Sequence, residues 1–598
     1  MTTFAPPTVA GSIPHLTPEL WEEATRAIVA KALSELAHER VLEPRRERDG
    51  RYAVPSDDGE VIYRFSARLR ALDHWQIDRA TLTRERRDGE ELPLDALELV
   101  LELASTLGLE GERLGIYLEE IASTTSALAY KLLVSLPADE LAGADFQTIE
   151  TRLTEGHPCF VANSGRLGFS AADYARYAPE AAQPVRLVWV AAHRDHAALH
   201  AGSGLSYDAL LEGELGRATL ARFAGVLTDA GLDPDDYLLI PVHPWQWTER
   251  LAVTFAQDVA QRRLVLLGAG DDGYLAQQSI RTFFNVDDPA KHYVKTALSV
   301  VNMGFVRGLS AKYMAGTPAI NDWVAELVEG DPVLRDCRFE VLRERAAVGY
   351  RPPRYSEVTD PNAPYPKMLA ALWRETPTGR LQPGERTATM ASLLHVDRDG
   401  RSLAAALIER SGLDGAEWVR RYLRAYLTPL LHCYFAHDLV FMPHGENLIL
   451  VLQDDAVARV FMKDIGEEIV LMDPARELPP EVERIRAEVP DELKPLSLLT
   501  DVVDCFFRFL APILDEAGAL GEGAFWALVR ACVEEYAATS APDPARVARE
   551  LLCERFALSC LNRLQLANSR QMVDLQDPAG SLQIHGTIAN PLARPAAG

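Results

Sequence analysis

At 598 residues, with 48% hydrophobic and 25% charged residues, the chain reads as a folded protein too long for one hydrophobic core, so several subdomains are expected. Its 61 basic residues stand against 87 acidic ones, and a net charge of −26 excludes wrapping of nucleic acid or adhesion to an anionic membrane. An anionic ligand therefore requires a local basic pocket. The opening MTTFAPPTVAGSIPHL lacks a basic start and a sustained apolar run, and no stretch approaches the roughly 18 apolar residues of a membrane span, so a cytoplasmic location is expected. Seven cysteines are scattered without a C-x-x-C pair and read as reduced packing residues.

Residues 18–40 carry apolar positions at helical spacing with acids in the first turn, which predicts an amphipathic helix. A polar break at 45–50 precedes YAVPSDDGEVIYRFSA, a hairpin about Asp57–Gly59, after which LDALELVLELASTLG and the next segment return to helix. This mixed region, to about residue 140, reads as one domain.

From about 150 to 310 the pattern changes to strands between Gly- and Pro-rich loops, among them PVRLVWVAAH, YLLIPVHPWQW, RRLVLLGAG, SIRTFFNV and HYVKTALSVV. Loops of this kind carry chemistry. In EGHPCFVANSGRLGF, glycine lets backbone N–H groups approach a phosphate, and His157, Asn163 and Arg166 can follow it. His193, His196 and His200 fall at i, i+3 and i+7, which a helix would gather on one side. No carboxylate stands at fitting spacing, so an exposed polar face is the expectation. His243 follows a strand that ends at proline and reads as structural. GAGDDG at 268–273 matches G-x-G-x-x-G formally, but Asp271 and Asp272 would sit where a pyrophosphate must approach, so it reads as a hairpin turn.

Alternation over SIRTFFN puts Ser279 and Arg281 on one face of a strand and Ile280 and Thr282 on the other. Charge on a half-buried strand needs a reason. Lys295 lies in another strand pattern, and Arg307 follows Asn302, a candidate helix cap. Together these basic groups read as a phosphate clamp, since Arg forks and Lys point charges match phosphoryl oxygens. Residues 355–385 are Pro-rich and read as surface connection, and the remainder is mostly helical.

The helical part is interrupted by HGENLILVLQDDAVARVFMKD at 444–464, two apolar strand patterns about an Asp-Asp turn. If Gln453–Ala456 make the reversal, antiparallel pairing brings His444, Glu446 and Asn447 beside Lys463 and Asp464, because positions equidistant from a turn face one another. A carboxylate and an amide oxygen converging there suit Mg²⁺, which leaves its other positions for water and nucleotide phosphates. A nucleotide-using enzyme is the expectation.

Taken in order, GHP at 156–158, YAPE at 177–180, PVHPWQ at 241–246, S-x-RT at 279–282, Lys295, Arg307, HGEN at 444–447, KD at 463–464 and NPL at 590–592 resemble a known family. It is that of the aerobactin synthetases, which make siderophores independently of nonribosomal peptide synthetases. Within that family, LDHWQID (72–78), EGHPCFVAN (155–163), LAQQSIRTFFN (275–285) and VFMPHGEN (440–447) look most like the desferrioxamine synthetases. The chain departs from the broader pattern in three places: Cys159–Asn163 replace a second His-Pro and Lys, Glu446 replaces the amide of H-G-Q-N, and Lys463-Asp464 replaces R-D. Those changes put the citrate-using members' loop contacts in doubt.

The resemblance implies an α+β, three-part hand-like fold, often dimeric. A thumb would span 1–140, fingers 141–370, and a palm 371–598 carrying the 444–464 hairpin, with ATP between fingers and palm. It implies activation of a carboxylate as an acyl adenylate, release of pyrophosphate, and amide formation with a primary amine. The substrate implied is a succinylated hydroxamate diamine such as N-hydroxy-N-succinylcadaverine, joined iteratively. Carried over residue by residue, Ser279, Arg281, Thr282, Lys295 and Arg307 hold the triphosphate, and His157, Asn163 and Arg166 complete the clamp. Glu446, Asn447 and Asp464 hold Mg²⁺, and His444 lies near the phosphates, with Arg307, Lys295 and His444 the catalytic groups. Three rivals stay open: a citrate-based synthetase of the same family; a small-molecule kinase, whose Asp base is missing where Gly445 and Glu446 stand; and a siderophore- or iron-binding protein, suggested by a distant likeness of the C-terminal part to ferric-siderophore reductase-like domains.

Overall fold

The computed structural model describes residues 13–358, 363–567 and 583–593. Its first helix, Pro18–His38, is capped by Thr17, whose hydroxyl accepts the Leu20 amide, and it buries Leu20, Ala24, Ile28, Leu33 and Leu36 at helical spacing. That face lies against a five-stranded antiparallel meander. The meander contains the predicted hairpin, with Tyr52–Pro55 paired to Val61–Arg70 and Tyr52 opposite Phe65. The polar break at 45–50 is less irregular than its composition suggests, since Arg45–Arg46 forms a short edge strand. Helices Ala96–Glu102 and Gly111–Leu133 follow as read.

Two antiparallel sheets occupy the next region. One has Val188–His193 between Tyr237–Val242 and Leu264–Ala269. The other has six strands, in the order Tyr274–Ala276, Thr282–Asn285, Tyr293–Thr296, Ala370–Arg374, Glu344–Tyr350 and Ala197–Ala201. GAGDDG is therefore not a hairpin turn but the passage from one sheet to the other. His193, His196 and His200 share no helix: His193 ends one strand and His200 lies in another, opposite Ala347. The largest correction concerns 355–385, where Ala370–Arg374 is a buried interior strand with Lys295 opposite Leu372 and Tyr293 opposite Arg374. Its first four residues, AALW, are apolar because both faces are covered, and the flanking prolines masked the strand.

The C-terminal part is built on the helices Gly415–His437, Arg508–Glu516 and Glu522–Thr539, with the hairpin Leu448–Gln453 and Ala456–Met462 among them. Both faces of the hairpin are buried. Leu448, Leu450, Leu452, Val457 and Val460 enter the largest core, while Ile449, Val451 and Phe461 pack on Leu342. Full burial contributes about 1.5–3 kcal/mol for each such side chain, so the register is strongly held. The N-terminal helix is tied to this part by a buried charge cluster. Arg508 meets Glu35 at 2.8 Å and Asp504 at 2.9 Å, and Asp504 meets His38 at 3.2 Å.

Candidate active site

The hairpin turns on Asp454 and Asp455, both left-handed at φ 51° and 60°, the two-residue geometry whose twist matches the flanking strands. Asp455 is anchored by Arg386 and Arg410, and its carbonyl accepts the Trp418 indole N–H at 3.1 Å. A register shift leaves Ala458 as an extra residue, so Asn447, and not Glu446 as equal counting from the turn would have it, stands beside Lys463, whose amide donates to the Asn447 carbonyl at 3.0 Å. The two open ends do meet.

Asp464, also left-handed at φ 59°, is the centre of a buried ion network. Its Oδ1 accepts from Lys295 at 3.0 Å and its Oδ2 from Arg374 at 2.9 Å, with Lys463 at 3.8 Å. Lys295 also donates to Glu467 at 2.8 Å, and Arg281 lies 3.4 Å from the same carboxylate. Burial pushes against ionisation of Asp464, but Lys295, Arg374 and Lys463 outweigh it and hold this carboxyl well below the usual range. Burial likewise opposes the charge on Lys295, which Asp464 and Glu467 nonetheless raise above its ordinary pKa.

Ser279, Ile280 and Arg281 do not alternate on a strand. The strand begins at Thr282, which faces Lys295 across the ladder, and Ile280 is left-handed at φ 61°, strained for a β-branched residue. Strain of about 1–3 kcal/mol of this kind persists where surrounding contacts impose it, and here Glu150 holds the preceding Gln278. The Ser279 hydroxyl is buried without a partner, while Arg281 donates to the Gly308 carbonyl at 2.5 Å. Asn302 caps no helix: Leu298–Asn302 and Phe305–Arg307 are a hairpin turned by Met303 and Gly304 at φ 55° and 80°. Arg307 donates from Nη2 to the Asn302 carbonyl at 3.0 Å, and its Nε is buried without a partner. Burial, and then the charge of Arg281, lower its pKa to about 10.

Beside this cationic half stands an anionic one. Asn447 donates to Glu468 at 2.5 Å and to the Met442 carbonyl at 3.0 Å, and His444 lies 4.0 Å from Glu468. Glu446 is half-buried, with no hydrogen bond or ion pair among the described residues. Burial, and then the charge of Glu468, push the Asp501 carboxyl up to about 7. Gly445 fits this loop because a Cβ there would lie 2.9 Å from both the Ala391 Cα and Phe506. On the far wall His157 faces His444 with ring centroids 5.9 Å apart, and both Nδ1 atoms are buried without partners. His157 is kept neutral, its pKa lowered well below the ordinary value by burial and then by His444.

Asn163 spends its donors on the protein, as does Arg166 apart from its Nε, which is buried without a partner. Asn163 holds the loop through Glu155 at 2.7 Å and the His157 carbonyl at 3.1 Å. Arg166 pairs with buried Glu180 at 3.0 Å and with the Ser164 carbonyl at 2.9 Å. The structure thus gathers Arg281, Lys295 and Asp464 in one network, sets Arg307, His157, His444, Glu446 and Asn447 around it, and keeps Asn163 and Arg166 as loop braces. Sequence reasoning missed Arg374, Glu467, Glu468 and Asp501. Arg374 carries the signal already used for Arg281, a charge on a buried strand, and Glu467 and Glu468 follow the KD pair after Ile465 and Gly466.

Nucleotide phosphates fit the cationic half, where the Arg307 Nε, the Ser279 hydroxyl and two imidazole nitrogens are buried donors or acceptors without partners, at a place where like cations crowd. A divalent cation fits the anionic half. Glu446, Glu468 and the Asn447 amide oxygen are hard ligands, and Asp501 lies near enough to feel the charge of Glu468.

Residues 145–395 match the IucA / IucC family, and residues 416–574 match the family described as ferric iron reductase FhuF-like transporter. The putrebactin synthase of Shewanella sp. (strain MR-4) is 46% identical over 97% of this chain and 92% of its own length. The aerobactin synthase of Escherichia coli is 31% identical over 91% of this chain and 92% of its own. Aerobactin synthetase IucC from Klebsiella pneumoniae superposes with a TM-score of 0.83 at 28% identity, covering 96% of this chain and 98% of that one. The chain belongs to the IucA/IucC family of siderophore synthetases that act independently of nonribosomal peptide synthetases. It is a ligase of siderophore biosynthesis, and its α+β architecture is the one these synthetases share. The FhuF-like stretch brings no cysteine cluster with it: all seven cysteines are free, and among the described residues none joins a metal-ligating group.

Proposed function

We propose that this synthetase activates the carboxylate of a succinylated hydroxamate diamine, of the N-hydroxy-N-succinylcadaverine kind, with ATP and Mg²⁺, and condenses it with a primary amine. The carboxylate oxygen attacks the α-phosphorus and pyrophosphate leaves; the amine then attacks the acyl carbon and AMP leaves with the oxygen. Each product keeps a carboxylate at one end and an amine at the other. Three units are joined in turn, and the chain then closes on itself, an intramolecular attack favoured by high effective concentration.

The observation that carries this reading is the division of one buried site into a cationic half with unpartnered donors and an anionic half with an unpaired Glu446. Arg307 and Lys295 stand where charge develops at phosphorus, and the electrostatic stabilisation such donors give acts in a site shielded from water. Bound Mg²⁺ would be held by Glu446, Asn447 and Glu468, with Asp464 within the adjoining network, and would neutralise phosphate charge. The likeness to desferrioxamine synthetases in stretches such as 275–285 favours the hydroxamate branch, whereas the likeness to aerobactin synthase keeps a citrate substrate as the second reading.

The deciding experiment is incubation of purified protein with ATP, Mg²⁺ and either N-hydroxy-N-succinylcadaverine or citrate plus a diamine, read by mass spectrometry with nucleotide analysis. Oligomeric and macrocyclic amides with AMP and pyrophosphate are expected from the first mixture. Robust product from citrate alone would transfer the enzyme to the other branch, and ADP with orthophosphate would refute adenylation.

A further inference from the structure

A cavity of about 960 Å³ borders the 153–164 loop, and the reaction as read so far leaves it unused. Glu155, Pro158, Asn163 and Ser164 of that loop line it. His157, on the same loop, faces His444, so one loop is a wall of both spaces. The wall is braced from the cavity side, since Lys31 donates to Glu155 at 2.7 Å and to the His157 carbonyl at 3.3 Å. None of Ser279, Arg281, Thr282, Lys295 or Arg307 lines the cavity.

Its walls are chemically divided. Trp75 and Ile77 from one strand, with Phe509, Pro512 and Ile513 from the helix Arg508–Glu516, give an apolar surface. Two lining cations are already committed: Lys31 to Glu155 and Arg398 to Glu23. Arg68 and Arg79 are exposed lining residues, and neither guanidinium has a hydrogen bond or ion pair among the described residues. Arg79 is near enough to the loop for its charge to lower the Glu155 pKa.

We infer that this cavity is the chamber for the amine-bearing second substrate, an extended chain with an amine at one end, methylenes in the middle and a carboxylate at the other. The inference rests on the proposed condensation. Two substrates must reach one acyl carbon from different sides, and the donor carboxylate belongs with the phosphates. The volume stands at the upper end of the roughly 300–1,000 Å³ of small-molecule sites, which suits a long acceptor and not a single small amine. Methylenes lie on the Trp75 and Phe509 surface, the carboxylate meets Arg68 and Arg79, and the amine points to the loop. There the amine nitrogen bonds to the acyl carbon, the acyl–oxygen bond to AMP breaks with its electron pair leaving on AMP, and the nitrogen's proton passes to water.

The test uses the full chain and an Arg68→Glu/Arg79→Glu double variant, both positions being exposed. The donor is N-hydroxy-N-succinylcadaverine with its amine acetylated, and the acceptors are the unblocked compound and its carboxyl methyl ester. In the variant, donor adenylation trapped with hydroxylamine should stay within twofold of wild type, while KM for the carboxylate acceptor rises at least tenfold and the wild-type preference for acid over ester disappears. An unchanged acceptor KM, or a donor adenylation that falls as far as condensation, overturns the inference. Should wild-type protein adenylate no succinylated donor, the functional reading fails by itself. The cavity is then decided by calorimetric titration of N-hydroxy-N-succinylcadaverine into nucleotide-free protein: binding at least tenfold weaker in the double variant supports the chamber, and equal binding rejects it.

Discussion

Arg307, half-buried, combines two properties that a structural arginine avoids together: a buried Nε without a partner and a second guanidinium close by. Its Nη2 bond to the Asn302 carbonyl is its one side-chain hydrogen bond among the described residues. Arg307→Ala should therefore lower kcat by about 10²–10³, the loss expected for a single transition-state donor, with a melting temperature equal to or above that of wild type. A variant that melts much earlier and turns over normally would place Arg307 in the scaffold. Glu446 and Asp464 separate in the same way. Asp464 is clamped by Lys295 and Arg374, and breaking a buried pair by removing one partner costs about 3–5 kcal/mol, so Asp464→Asn should lose stability and activity together. Glu446 has no hydrogen-bond or ion-pair partner among the described residues, and Glu446→Gln should leave melting unchanged while raising the Mg²⁺ concentration needed for half-maximal rate. Equal Mg²⁺ curves for Glu446→Gln and wild type would remove Glu446 from the metal site.

At the scale of elements, the N-cap of helix Pro332–Asp336 is also the tether of helix Gly415–His437. Asp331 Oδ1 accepts the Val333 and Leu334 amides, and Oδ2 accepts from the Nε2 atoms of His432 and His437, each at 3.0 Å. Burial pushes the Asp331 carboxyl up, but the Leu334 amide and the two imidazoles outweigh it and bring its pKa down to about 2. A carboxyl depressed from 3.8 contributes stability that is complete above pH 3.8 and is lost as pH falls toward 2. Burial lowers His437 below 6.5, so protonation of that ring begins to destabilise the fold at a higher pH, from about 6.5 downward. Asp331→Asn should thus melt below wild type at pH 7, and the gap should narrow between pH 4 and pH 2. A gap that stays constant to pH 2 would show that the carboxylate charge contributes nothing.

Elements of strong period were legible in the sequence. The 18–38 helix, the 52–70 hairpin and the 444–464 hairpin with its reversal at Gln453–Ala456 all stand where pattern put them. What pattern could not carry was local backbone geometry and distant partnership. The left-handed Ile280 breaks the alternation read into SIRTFFN, and the extra Ala458 moves the hairpin register by one residue. Arg166 looks like a phosphate ligand in its own loop, and only the fold supplies Glu180, which lies in a separate stretch of chain. Arg374 was hidden because four apolar residues and an arginine between prolines look like a loop until both faces are seen to be covered.

Across the whole molecule, charge is distributed against its own ligands. A chain of net charge −26 surrounds the half-buried Arg307 and the buried Lys295, and ATP, the nucleotide proposed above, is an anion. The consequence is kinetic. Capture begins with an uphill approach through a repulsive field, and short-range attraction takes over only inside the cleft. Salt shortens the reach of the outer field from about 30 Å at 0.01 M to about 8 Å at 0.15 M, while a buried clamp is screened far less. Most enzymes of phosphorylated substrates associate faster at low salt; for this one, kcat/KM for ATP measured across that range should rise with added salt before it levels, and a monotonic fall would mean that the mouth of the cleft, unlike the molecule around it, already attracts.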